Sequence, residues 1–151
     1  MFVPWRSPVG YGLRVHGVFG GDVRSDAIAT PVRLPPWRRL ELADGTRVLA
    51  RTAPGEVPVL LLHGWALTAD VNFLHLIRPV ADQHGVVAMD MRGHGRGPRL
   101  RRRERFDIAQ CADDAAAVLD ALGVDQVVVC GYSLGGPVGL SSLLLATSSQ
   151  K

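Results

Sequence analysis

Long apolar runs are missing from this chain: no stretch approaches the length that a membrane-spanning helix needs, so a bilayer-spanning helical protein is not expected. Cysteine is scarce. The two present, Cys111 and Cys130, cannot make a disulfide framework and read as reduced, small, buried hydrophobes. Aromatic residues make up only 6% of the chain, and none interleaves with the arginines of the segment 96–105, which removes the stacking pattern of a nucleic-acid binder. Neither Gly-Lys-Ser/Thr nor Gly-x-Gly-x-x-Gly occurs, so the glycine-rich stretch is not built for nucleotide phosphates. Apolar residues near the N-terminus are interrupted by Pro4, Arg6, Pro8, Arg14 and His16, which argues against a secretory signal and makes the cytoplasm the expected compartment. One more absence matters most: after Ser133 the sequence holds no Asp, no Glu and no His.

What is present describes a folded domain. With 47% hydrophobic and 21% charged residues and a net charge of +3, the chain has enough apolar material for a core and none of the signs of disorder. The basic excess is local, in Arg96, Arg99, Arg101, Arg102, Arg103 and Arg105, and reads as a solvated loop. Residues 1–36 are so densely punctuated by proline and glycine that an irregular leader is expected, ending in Pro35-Pro36. The domain proper is expected over 37–151.

Within it, Arg38–Leu42 and Thr46–Thr52 alternate in the strand manner about Asp44-Gly45, a two-residue hairpin signal. The continuous apolar runs Val57–Leu62 and Val86–Asp90 suit strands covered on both faces. Helical spacing runs from Val71 to His84, with Pro79 either kinking it or opening a shorter helix. The clearest helix begins at Asp107, paired with Gln110 as a capping box, and stops at Gly123. A strand over Val124–Cys130 and a helix from Leu134 to Ala146 complete an alternation that predicts an α/β fold, its sheet mostly parallel with helices on both faces.

Three motifs sit where these strands end. Val127-Val128-Val129-Cys130 runs into Gly131-Tyr132-Ser133-Leu134-Gly135-Gly136, which reads as strand, tight turn, helix, with small glycines letting the turn hold the serine outward. Upstream, Val59-Leu60-Leu61-Leu62 runs into His63-Gly64-Trp65, and Val86-Val87-Ala88-Met89-Asp90 into Met91-Arg92-Gly93-His94-Gly95. Together these resemble the α/β-hydrolase superfamily of the Gly-x-Ser-x-Gly type, over the N-terminal portion of that fold, about five of its eight strands.

The resemblance implies Ser133 as nucleophile, with the backbone N–H groups of Trp65 and Leu134 as an oxyanion hole. It implies motif or structural roles for His63, Gly64, Asp90, Arg92, Gly93, His94, Gly95, Gly131 and Gly135. Asp90 could serve as a triad acid, but the position ends a strand and is expected to stabilise the following loop. No cofactor or metal is implied, and the partner would be a small ester-like substrate rather than nucleic acid or membrane. A serine argues against the dehalogenase and epoxide hydrolase branches, which use aspartate there.

In this superfamily the acid and the histidine follow the serine, and here neither does. All five histidines precede Ser133; His63 or His94 could substitute as base only by proximity. The expectation is therefore a serine hydrolase chain inactive alone, or a truncated or frame-shifted product acting, if at all, by protein contacts. An edge left open along Val127–Cys130 would then invite self-association.

Overall fold

A computed structural model describes residues 2–6 and 32–148, with 2–6 and 142–148 described as backbone. Six strands make one sheet: β1 (Phe2–Arg6), β2 (Trp37–Glu41), β3 (Arg47–Ala53), β4 (Val59–Leu62), β5 (Val86–Met89) and β6 (Gln126–Gly131). Among the described residues four helices accompany them: α1 (Ala69–Phe73), α2 (Ile77–His84), α3 (Ile108–Leu122) and α4 (Gly135–Ser148). The spatial order is β1-β6-β4-β5-β3-β2. At its centre β4 pairs in parallel with both β5 and β6, while β1, β2 and β3 join antiparallel.

Alternation along the central strands explains the layering. Leu60 and Leu62 face one core with Val127, Val129, Val87 and Met89, covered by Cys111, Ala112, Ala115, Val118 and Leu119 of α3 and Val138 of α4. Val59 and Leu61 face the other, with Val86 and Ala88, covered by Ala69, Phe73 and Ile77 of α1 and α2. All four residues of β4 and of β5 are buried, the signature of strands sandwiched between helices. No helix among the described residues is long and apolar enough to cross a membrane.

Several expectations need correction. The leader is not irregular throughout, because Phe2–Arg6 forms β1, in register from Phe2 opposite Cys130 to Arg6 opposite Gln126. Phe, Val and Trp favour strands, and Pro4 is tolerated because β1 lies at the sheet's end, where a missing N–H costs no ladder bond. That same strand lies along β6, so Val127–Cys130 is not the open edge the sequence suggested. The rest of the expected leader, residues 7–31, falls outside the described residues.

The hairpin loop is three residues, not two. Leu42 and Thr46 close it through Leu42 N–H to Thr46 O at 2.8 Å, and Gly45 takes the left-handed position at φ 81°. Of the two expectations for Pro79 the shorter helix holds: a turn at Leu74–Leu76 separates α1 from α2, and Pro79 falls in the first turn of α2, where its missing N–H is harmless. On α3, Asp107 caps Ala109 N–H at 2.8 Å, but the capping box is not reciprocal: Gln110 Oε1 is buried without a partner among the described residues. Val124 belongs to the end of α3 rather than to β6, its N–H bonding Leu119 O at 3.0 Å beyond left-handed Gly123. Both cysteines are free, Cys111 buried and Cys130 half-buried; burial pushes the Cys111 thiol up to about 11.

Candidate active site

Strand register brings the first two motifs together. β4 and β6 run in parallel with Leu62 opposite Gly131, so the segments following them, His63–Trp65 and Tyr132–Gly135, leave the same end of the sheet side by side. Tyr132 N–H donates to Leu62 O at 3.0 Å, carrying the ladder into the turn. The turn then reverses: Gly135 N–H bonds Tyr132 O at 2.9 Å, and Gly136 N–H bonds Ser133 O at 3.0 Å. Ser133 sits at φ 51°, a left-handed conformation that costs a non-glycine residue energy, and its side chain is exposed.

Packing shows why the flanking residues are glycines. A Cβ on Gly131 would lie 2.2 Å from Gly135 O, and one on Gly135 would lie 2.0 Å from Leu62 O. No side chain fits at either place without moving backbone. Gly64 is similarly confined, its Cβ position 3.0 Å from the Tyr132 ring, which places the two loops in contact.

The loop after β4 is held by its own histidine. His63 is fully buried; Met91 N–H donates to Nε2 at 2.8 Å, so the hydrogen is on Nδ1, which donates to Gly64 O at 2.7 Å. Desolvation holds this imidazole below its ordinary range and keeps it neutral. Gly64 N–H donates to Asn72 Oδ1 at 2.7 Å. The N–H groups of Trp65 and Leu134 donate to no group among the described residues. The Trp65 ring stands edge-on to His94 and Phe106, with centroids 5.1 and 4.9 Å away, and is 59% exposed.

Asp90, fully buried, is the knot between the other two loops. Oδ1 accepts Ala69 N–H and Oδ2 accepts Arg96 N–H, each at 2.8 Å, so one carboxylate fixes the start of α1 and the loop after β5. Gly95 must be glycine beside it, since a Cβ there would meet Asp90 Oδ2 at 2.2 Å. Gly93, at φ 78°, turns the loop, and Arg92 ties it to α3 through a fork on Asp114 at 2.7 and 2.9 Å with Glu104 at 3.4 Å. Burial raises the Asp114 carboxyl even against the pull of Arg92, whose own proton is held more tightly by Asp114.

The structure therefore joins Ser133, Leu134, Gly131 and Gly135 to Gly64 and Trp65, and puts Asp90, Arg92, Gly93, His94 and Gly95 into loop architecture. Neither candidate substitute base meets the serine. Both His63 nitrogens are committed to backbone, and His94 Nδ1 lies 3.0 Å from Arg92 O; neither ring is hydrogen-bonded to Ser133. Sequence reasoning missed Asn72 and the Arg51–Asp70 fork at 2.6 and 2.8 Å, which anchors α1 to β3. The spacing of a helix predicts neither partner, because both bonds span different elements. No cluster of metal-ligating side chains occurs among the described residues.

Comparison with known proteins agrees with this geometry. Residues 57–149 match the model of a family described as alpha/beta hydrolase fold. Over 110 residues the chain is 37% identical to the dihydrolipoyllysine-residue acetyltransferase component of the acetoin cleaving system of Cupriavidus necator, covering 72% of this chain and 28% of that protein. It is 36% identical over 94 residues to the non-heme haloperoxidase of Rhodococcus erythropolis, covering 62% of this chain and 34% of that one. A solved structure described as an N-acyl homoserine lactone degrading enzyme is similar with a TM-score of 0.61 and 32% identity, over 71% of this chain and 40% of that chain. The chain spans 28% and 34% of the length of these two curated relatives.

Proposed function

Because this chain belongs to the alpha/beta hydrolase fold family, we propose that it carries the nucleophile and oxyanion half of a serine hydrolase acting on an ester or related acyl bond. The observation that carries the reading is the turn at Ser133. A serine at φ 51°, exposed at the end of a central parallel strand between two glycines that admit no side chain, is a costly arrangement with an obvious chemical use.

The chemistry follows from the positions. Ser133 Oγ attacks the acyl carbon, the carbonyl electron pair moves to oxygen, and the tetrahedral oxyanion accepts hydrogen bonds from the Trp65 and Leu134 amides. Collapse expels the alcohol and leaves an acyl-enzyme for water to cleave. Each such donor is worth about 3 kcal/mol in the transition state. The serine proton needs a base, and residues 134–151 contain no acid or imidazole. The reading therefore assigns the base to residues outside these 151 or to a second polypeptide, and expects this chain alone to be feeble, at about 10³ to 10⁴ over water.

p-Nitrophenyl acetate tests it. The expected result is release of one equivalent of p-nitrophenol with an acetyl group persisting on Ser133, because deacylation also lacks a base. Absence of both release and acetylation overturns the reading; rapid turnover with a titration near neutral pH overturns the assignment of the base. The rival reading, a chain acting only through protein contacts, draws support from His63, whose two nitrogens are both bonded to backbone; it would be favoured by that same absence of acetylation.

A further inference from the structure

The oxyanion role proposed above depends on the direction of one amide, that of Trp65, and the surrounding bonds bear on what sets it. A peptide is planar and its C=O and N–H point opposite ways. Gly64 O is engaged on one side by His63 Nδ1–H at 2.7 Å and by Leu67 N–H at 3.4 Å. Holding that carbonyl inward turns the Trp65 N–H of the same peptide outward.

That arrangement is stable only if the preceding peptide is fixed too, since rotation about the Gly64 dihedrals would swing the plane. Gly64 imposes little restraint of its own. Its N–H is gripped instead by Asn72 Oδ1 at 2.7 Å. Asn72 is itself immobilised: its N–H bonds Thr68 O at 3.0 Å, Thr68 caps the helix, Asp90 holds Ala69 N–H, and Arg51 forks onto Asp70. The bond has a second effect, removing the Gly64 N–H as a competing donor to the substrate.

We propose that Asn72 is the positioning residue of the oxyanion hole: its carboxamide oxygen fixes the Gly64 backbone so that the Trp65 amide faces the reacting oxygen. The inference rests on the Ser133 reading. The role assigned to Asn72 acts through the Gly64 backbone, and its contribution lies in orientation, where a small misplacement of a donor is expensive.

Phenylboronic acid gives a test that keeps the two claims apart. Its boron accepts the Ser133 oxygen, a proton leaves to solvent, and the adduct is a tetrahedral anion; amide protons donating to it move downfield in ¹H–¹⁵N spectra. In the wild-type protein the Trp65 and Leu134 amides are expected to move together. In Asn72→Leu the Leu134 amide still moves, the Trp65 amide does not, and binding weakens about tenfold. Asn72→Asp, which keeps an acceptor at the same reach, restores both. Should Asn72→Leu not fold, Asn72→Ser, too short to reach Gly64, serves in its place. If the Trp65 amide moves in the variant as in wild type, the positioning claim is wrong. If neither amide moves in wild type, or both move in Ser133→Ala, the Ser133 reading fails and the inference falls with it.

Discussion

Replacing Gly135 by alanine adds one methyl group where α4 begins hard against the end of β4. The new Cβ would lie 2.0 Å from Leu62 O, 2.6 Å from Leu62 C and 2.9 Å from Leu62 Cβ, against ordinary contact from 3.4 Å. Relief requires β4 and the start of α4 to part by about 1.4 Å, the difference between 3.4 and 2.0 Å. Neither side is a flexible side chain that could swing away. Forced overpacking of this kind costs about 3 kcal/mol. Parting the two segments also weakens the Tyr132 N–H to Leu62 O bond, about 1 kcal/mol, and alanine returns about 0.5–1 kcal/mol through its better helix propensity. The net loss is about 3 kcal/mol, or about 6–12 °C in Tm for a domain of this size. Gly136→Ala, one residue on, is the control: nothing lies within 4 Å of its Cβ position, so the helix gain of up to about 1 kcal/mol stands alone. Thermal unfolding followed by far-UV circular dichroism measures both. Equal effects at the two positions, or a Gly135→Ala protein within about 0.5 kcal/mol of wild type, would refute the steric argument.

Other consequences follow from the buried polar groups. Burial depresses the His63 imidazole, so the unfolded chain binds its proton more readily; stability is fully present above the unfolded value of 6.5 and is lost as pH falls below it. Urea unfolding from pH 5 to 7 is expected to show stability rising with pH, and a flatter profile in His63→Gln; a flat wild-type profile contradicts this. Asp90→Asn presents an N–H₂ to one of two amide donors and is expected to cost about 2–3 kcal/mol. Its rate of fluorophosphonate labelling per folded molecule should be unchanged; a stable variant with labelling reduced a hundredfold would make Asp90 the triad acid instead.

Periodicity revealed the elements whose environment is simple. Val59–Leu62 and Val86–Met89 are buried on both faces and therefore uniformly apolar, and α3 presents a regular apolar stripe ended by Gly123. The motif loops were legible because each needs glycine where a Cβ would strike backbone or a carboxylate, as at Gly131, Gly135 and Gly95. What escaped was set by contacts between distant residues. Phe2–Arg6 becomes a strand only because β6 offers it an edge, and a proline within five residues hides the tendency. Likewise Leu74–Leu76 breaks a pattern that continues smoothly in sequence, and Asn72 finds Gly64 only once α1 folds back over the loop. That residues 134–151 hold no Asp, Glu or His is a matter of residue types, and needed no structure to see.

The most direct measurement is fluorophosphonate labelling of the folded chain, with the adduct located by peptide mass spectrometry. The account predicts a single adduct on Ser133, formed slowly, faster as hydroxide rises, and absent from Ser133→Ala. Folded protein that takes up no label over that range, or takes it up at another residue, would contradict the assignment of Ser133 as the nucleophile.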